Sequence, residues 1–374
     1  MKIGITCYPT YGGSGAIATE LGKALALKGH KVHFISYARP FRLGEFVENI
    51  VFHEVEMSNY PLFEHSMYSL ALASKMVEVA KFEKLDLLHV HYAIPHAVSA
   101  YLAKQMLKDK SELKIITTLH GTDITLVGLE PSFLPMVKFS IEESDGVSAV
   151  SRFLKEKTLT NYNIKKDITV INNFVDANLY KPNGTQKLRE HIAPHNEKII
   201  VHTSNFRPVK RVPETIRILE KVRKEISAQL VLVGDGPDRS ECERLCRELN
   251  LCDHVKFLGK QNGLVEILNA SDIFLIPSQS ESFGLAALEA MSCGLPVVSS
   301  SVGGLPELIS HNETGYIAEI GDVDRMAKYV IELFTNEKKY DLFSKASRKR
   351  VEENFDKERI IPQYEKFYDK ILNN

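Results

Sequence analysis

The segment ESFGLAALEAMSCGLPVVSSSVGGLPE, residues 281–307, carries two glutamates eight positions apart in otherwise apolar surroundings. A helix starting around Ser282 to Gly284 presents free backbone N–H groups and the positive end of its dipole. A diphosphate fits such a helix end, and the glycine at 284 permits close approach. Glu281 stands just ahead of that helix, and Glu289 follows about two turns on. Each carboxylate can accept two hydrogen bonds from a diol, so a ribose or a hexose suits each. The alternative is a surface helix with two solvated glutamates.

A diphosphate asks for more than a helix end. SNFRPVKRV, residues 204–212, follows the apolar run KIIVHT and supplies Arg207 with Lys210 or Arg211; the sequence does not choose between the last two. The glycines of VGDGP, including Gly234, permit a tight turn near a nucleotide. YGGSG, residues 11–15, lacks both the dinucleotide-binding glycine spacing and the lysine of a phosphate loop. Gly13 and Ser14 can still lie against an anion, or form a plain turn. His120 in TLHGTD ends another strand. HVHYAIPH places His89, His91 and His96 close together, but no carboxylate follows and the metal reading is set aside. Tyr92 is better placed to offer a hydroxyl. Asp322 and Asp324 in GDVDRMAKYVIELF read as a helix cap with an acidic first turn, not as metal ligands.

These residues sit at the ends of strands that alternate with helices. KIGITCYP, KVHFISY, DLLHVHY, KIITTLHG and GVSAVS are separated by amphipathic stretches, and KIIVHTSNF, QLVLVGDGP, HVKFLGK, IFLIPS and PVVSSS repeat the scheme. Continuously apolar strands in such alternation predict parallel sheets. The expected architecture is α/β, with two Rossmann-like domains whose parallel sheets face each other across a cleft. Residues 1–166 form the first domain and 167–357 the second, joined near 172–185; a final helix, about 358–374, packs back on the first. Ligands of such sheets bind beyond the carboxyl ends of the strands.

The 374 residues exceed what one core usually serves. With 47 basic and 48 acidic residues, a nucleic-acid partner held by phosphate neutralisation is disfavoured. Five irregularly spaced cysteines fit idle thiols in a reducing compartment. No run is long and apolar enough for a membrane helix, and no signal peptide opens the chain, so a cytoplasmic protein without a membrane anchor is expected. Oligomeric state is open, a homo-oligomer included.

E-x7-E followed by CGLPVV and GGLPE resembles the C-terminal domain of the retaining family 4 glycosyltransferases, whose fold is GT-B. The resemblance extends through KIGITCYPTYGGSG, HVHYAIPHA, TLHGTDIT and SNFRPVKR. It implies that Glu281 meets the donor sugar, Glu289 the ribose and His120 the sugar near its C6 hydroxyl, while the amides of Phe283, Gly284 and Leu285 face the diphosphate. Backbone groups around Lys260 and Gln261 in FLGKQ would read a uracil edge. Arg207 would serve catalysis with His120 and Glu281, and Gly13 and Asn205 would join the donor site. The family usually shows Gly-Arg and then Lys-Gly where this chain has Asn205-Phe206-Arg207 and Lys210-Arg211, a departure that keeps both cations in play. Within the family the likeness is to members of bacillithiol synthesis. It implies UDP-N-acetylglucosamine as donor, L-malate as acceptor, retained configuration and no metal or other cofactor. Ser14, Tyr92, Thr118 and Thr122 are the expected acceptor hydroxyls. A lipid or polysaccharide acceptor, a non-catalytic sugar-nucleotide binder, and Glu281 as a covalent nucleophile remain alternatives.

Overall fold

The structure is a computed structural model that describes residues 1–44, 46–57, 65, 67–108, 112–184 and 186–373. They divide into two compact units, Met1–Asn173 with Ile360–Asn374, and Phe174–Arg359.

The first unit is built on β1 (Lys2–Thr6), β2 (Lys31–Ser36), β3 (Ile50–Glu54), β4 (Leu87–His91), β5 (Lys114–Leu119), β6 (Gly146–Ala149) and β7 (Thr169–Val170). They form one sheet in the order β3-β2-β1-β4-β5-β6-β7, every pair parallel. The second unit repeats the scheme with β8 (Lys198–Thr203), β9 (Ala228–Val233), β10 (Val255–Gly259), β11 (Ile273–Ile276), β12 (Val297–Ser300) and β13 (Gly315–Ala318), in the order β10-β9-β8-β11-β12-β13. Every residue of β4 and of β9 is buried, so neither strand has a solvated face, and the buried His89 and His91 of β4 bond to neighbouring side chains instead. In each sheet the chain order reverses beside its first strand, between β1 and β4 and between β8 and β11. Such switch points leave a crevice at the carboxyl ends of the strands.

Three features differ from the sequence expectation. The strands β3 and β13 lie at sheet edges and were not read from the sequence. The strand Thr169–Val170 pairs with β6, so the first unit runs to Asn173 rather than ending at 166. Residues 174–182 are also no free linker. Arg348 donates to the carbonyls of Ala177, Tyr180 and Ser292 at 2.9, 2.6 and 2.7 Å, and Lys357 pairs with Asp176 at 2.7 Å, which fastens this stretch to the second unit.

The last helix, Lys357–Leu372, buries Tyr364 and Tyr368 within the first unit from Ile360 onward. The Tyr368 hydroxyl lies 2.7 Å from His89 Nδ1, whose Nε2 lies 2.7 Å from the Thr118 hydroxyl. All five cysteines are free, and only Cys252 is exposed. Burial pushes the thiols of Cys7, Cys242 and Cys293 up to about 12, so none of these is a ready nucleophile. No described helix is long and apolar enough to cross a membrane.

Candidate active site

In the second unit the loops after β8 and β11 meet at the switch point. Val209 accepts a 2.7 Å hydrogen bond from the Gln279 amide, tying one loop to the other. Phe206 is fully buried and anchors the first loop, leaving its neighbours Asn205 and Arg207 exposed. Across the junction Lys210 Nζ stands 2.7 Å from Glu281 Oε1, and Ser278 donates to the same oxygen at 2.9 Å. Arg211 goes elsewhere. Its backbone is left-handed, φ 51°, which turns the side chain onto Glu214 in the first turn of the helix Val212–Val222. Of the two cations the sequence left open, Lys210 therefore accompanies Glu281 and Arg211 does not.

Beneath the loop, His202 Nδ1 donates to the Leu275 carbonyl at 2.8 Å, and its Nε2 accepts from the Ser204 hydroxyl at 2.8 Å. Ser204 Oγ accepts in turn from the Phe206 amide at 3.2 Å. Burial lowers the His202 pKa to about 4, so the ring is neutral and can play both parts. Sequence reasoning missed His202, Ser204 and Ser278. The one available signal was the switch from apolar to polar residues at the end of KIIVHTS.

Two glycines hold the loops together. Gly234, at φ 122°, lies so close to the first loop that a Cβ would sit 1.8 Å from the Ser204 carbonyl oxygen. Gly303, at φ 57°, lies against the second, where a Cβ would sit 1.7 Å from the Glu281 carbonyl oxygen. That oxygen accepts the Gly304 amide at 3.0 Å. The helix after Glu281 runs Leu285–Ser292 with Gly284 as its cap, so it begins later than Ser282. Phe283 is buried edge-on against Phe355 at 5.6 Å, and Glu289 is buried within the helix. Lys260 and Gln261 follow the edge strand β10. There the Gly259 carbonyl accepts the Gly234 amide at 2.7 Å, which joins them to the Gly234 turn rather than to Glu281.

The first unit has its own constellation at its switch point. Burial pushes the Tyr92 hydroxyl up to about 12, against the smaller opposing influence of the side chains of Ser14, after β1, and Thr122, after β5. Gly13 is the first residue of the helix Gly13–Leu27 beside it. Thr118 is not part of this group. It is fully buried, and its hydroxyl lies 2.7 Å from Ser148 Oγ and 2.7 Å from His89 Nε2. His120 Nε2 faces His91 Nδ1 at 2.8 Å, and His96 Nδ1 donates to the His91 carbonyl at 2.5 Å. Burial lowers His120 to about 3 and His96 to about 4. Both rings are neutral, so one nitrogen of the His91–His120 pair donates and the other accepts. Asp123, also missed, accepts the amides of Ala93 at 2.7 Å and Gly121 at 3.1 Å, and so fixes the backbone on either side of Tyr92 and His120.

Outside these groups, Asp322 caps the helix Val323–Thr335 by accepting the Arg325 amide at 3.0 Å. Asp324 pairs with Lys221 at 2.7 Å.

The family model "Glycosyltransferase Family 4" matches residues 11–179, and "Glycosyl transferases group 1" matches 184–350. N-acetyl-alpha-D-glucosaminyl L-malate synthase of Bacillus anthracis is 48% identical over 100% of this chain and 98% of its own. The chain belongs to glycosyltransferase family 4. The fold agrees. The Anabaena protein HepE in complex with UDP-glucose superimposes with a TM-score of 0.83 at 22% identity, covering 99% of this chain and 100% of the other. Sucrose-phosphate synthase from Thermosynechococcus elongatus gives 0.81 at 24% identity, covering 100% and 99%. This family 4 chain is thus a nucleotide-sugar-dependent glycosyltransferase of the GT-B fold, with two parallel-sheet Rossmann-like domains.

In such an enzyme the Gly303 packing carries a prediction. Gly303→Ala forces a methyl group onto the Glu281 carbonyl and strains a left-handed residue. Calorimetric affinity for the nucleotide of the sugar donor is expected to fall at least about tenfold, with the first unit's hydrogen exchange unchanged. Wild-type affinity in this variant would show that the Gly303 turn does not set the Glu281 loop.

Proposed function

We propose that this glycosyltransferase moves N-acetylglucosamine from UDP-N-acetylglucosamine to the hydroxyl of L-malate with retained configuration, the first step of bacillithiol synthesis, in the cytoplasm and without a metal. The observation that carries the reading is the 48% identity, end to end, with the malate synthase of B. anthracis. The geometry fits it. Arg207 is exposed, and its guanidinium makes no hydrogen bond or ion pair with another described side chain, which suits a cation awaiting a phosphate. Lys210 stands beside Glu281, where a diphosphate next to the sugar would draw it. With the amides of Phe283, Gly284 and Leu285, these two cations would stabilise charge on the departing UDP, which is electrostatic catalysis.

In this reading the malate hydroxyl attacks the anomeric carbon from the face that UDP leaves, and a departing phosphate oxygen takes its proton. Glu281 holds the sugar; its Oε1 already accepts from Lys210 and Ser278, and such partners weaken a carboxylate as a nucleophile. Glu289 holds the ribose. His120, neutral, offers a hydrogen bond to the sugar, and Ser14, Tyr92 and Thr122 receive the acceptor. Thr118, buried behind them, would act on the acceptor only through His89 and Ser148.

The test is UDP release from UDP-N-acetylglucosamine with and without L-malate, in metal-free buffer containing chelator. Malate-dependent release is expected. Release unaffected by malate, or none with it, would overturn the acceptor and point to another hydroxyl compound. Turnover only after a metal is restored would overturn the metal-free mechanism.

A further inference from the structure

We propose that His33, His53 and Glu83 form a binding site for a zinc-like divalent cation in the first unit, separate from the sugar-transfer residues. His33 lies on β2 and His53 on the neighbouring edge strand β3. The parallel register sets His33 opposite Val51 and Ile35 opposite His53, so both imidazoles emerge on one face of the sheet. Glu83 ends the helix Tyr68–Glu83. One nitrogen from each histidine and one oxygen of Glu83 lie within 4.8 Å of one another.

The decisive detail is His33, only 2% exposed. Its Nδ1 stands 3.0 Å from His53 Nε2. Its Nε2 is buried without a hydrogen-bond partner among the described residues, 3.9 Å from Glu83 Oε2. A buried imidazole nitrogen left unpaired is costly, and this one faces an anionic oxygen beyond hydrogen-bond reach. A cation between them satisfies both. Ligand atoms about 2.1 Å from a tetrahedral ion are about 3.4 Å apart. The site must therefore close by roughly 1 Å, with the His53 ring rotating away from His33 Nδ1. Glu83 sits at a helix end and His53 on an edge strand, so both have room to move.

Two imidazoles and one carboxylate select a zinc-type ion over magnesium or calcium, which prefer oxygen. The surrounding charge sharpens that choice. Glu78 favours a cation, but Lys2 and Lys31 act on His33 and Lys75 acts on His53, so a hard ion held by charge alone gains little. The bound ion would staple β3, which has a partner on one side only, to β2 and the helix.

The test uses the tag-free full chain stripped with chelator. Calorimetric titration with zinc chloride is expected to show about one equivalent bound with a micromolar Kd, and 100-fold excess over Kd should raise Tm by roughly 5 °C. Magnesium and calcium should do neither, and cobalt should give the intense visible band of a tetrahedral site. His53→Ala and Glu83→Gln should each weaken zinc binding at least about tenfold. The half-buried Glu83 makes its variant informative even if His53→Ala folds poorly. No saturable binding by the wild type, or wild-type affinity in Glu83→Gln, would overturn the site. The result does not depend on which sugar or acceptor the enzyme uses.

Discussion

Replacing Lys210 with alanine is expected to lower kcat roughly 10³-fold, whereas Arg211→Ala should leave kcat within about threefold of wild type. The two cations are adjacent in sequence and were indistinguishable there. In the structure Lys210 Nζ lies 2.7 Å from Glu281 and Arg211 is bound to Glu214. Negative charge develops on the diphosphate as the glycosidic bond breaks, and an ammonium beside it stabilises the transition state more than the ground state. In the proposed transfer, losing Lys210 does further harm, because Glu281, which Lys210 pairs with at 2.7 Å, would face the diphosphate with its charge unopposed. Lys210→Arg should recover part of the loss. Arg211→Ala acts differently: it strips the partner from Glu214, which is 9% exposed, but because Arg211 is itself partly solvated the cost should be about 1–2 kcal/mol of second-unit stability in urea titration. A Lys210→Ala enzyme within tenfold of wild type, or an Arg211→Ala enzyme as impaired as it, would sink this assignment.

What separates those two residues also marks the limit of reading the chain as a string. The alternation of buried strands with helices was legible because a strand covered on both faces has to be apolar throughout. KIGIT, LLHVH and AQLVLV carry that pattern plainly. The edge strand IVFHE does not, since it is half exposed and has mixed polarity. The short strand Thr169–Val170 was placed in the second unit, but it pairs with β6, a choice of partner that leaves no local trace, and the unit boundary was misplaced with it. At the site, glycines and charges near strand ends led to the loops after β1, β5, β8 and β11, and three of the four expected acceptor hydroxyls, those of Ser14, Tyr92 and Thr122, lie together. Thr118 could not be sorted from them, because alternate residues of a strand face opposite sides and the sequence does not say which side is the crevice. The direction of Arg211 depends on one left-handed φ angle. The His33–His53–Glu83 group depends on strand register across 50 residues of sequence. Neither leaves a local trace.

The buried histidines of the first unit make it acid-labile well above the usual carboxylate range. Burial holds His89 at about 3, His96 at about 4 and His120 at about 3, and lowers His91 as well. Their folded pKa values lie below the unfolded value of about 6.5. Above that pH neither state binds protons and nothing changes. Below it the unfolded chain takes up protons that the folded unit refuses, so stability is lost as pH falls, until the folded values near 3 to 4 are reached. Each such group contributes about 1.4 kcal/mol per pH unit. Asp123 works in the opposite sense: burial raises it to about 6, so the folded state binds its proton first and gains stability as pH falls from 6 toward 4. These four histidines against one aspartate leave a net loss of about 4 kcal/mol per pH unit between pH 6 and 5, and His33 and His53, also lowered by burial, add to it in the same sense. Domains of this size hold only about 5–15 kcal/mol in all. The first unit should therefore open near pH 5, before the second, where burial lowers His202 to about 4 and also lowers the half-buried His254. The chain has no tryptophan to report on either unit. Hydrogen exchange read by mass spectrometry resolves them, and first-unit protection should fall steeply from pH 6 to 5 after correction for intrinsic exchange. His96→Gln should flatten that slope by about one proton. A first unit as protected at pH 5 as at pH 7 would mean that the histidine cluster takes up protons while folded, which would overturn the neutral His120 of the proposed mechanism.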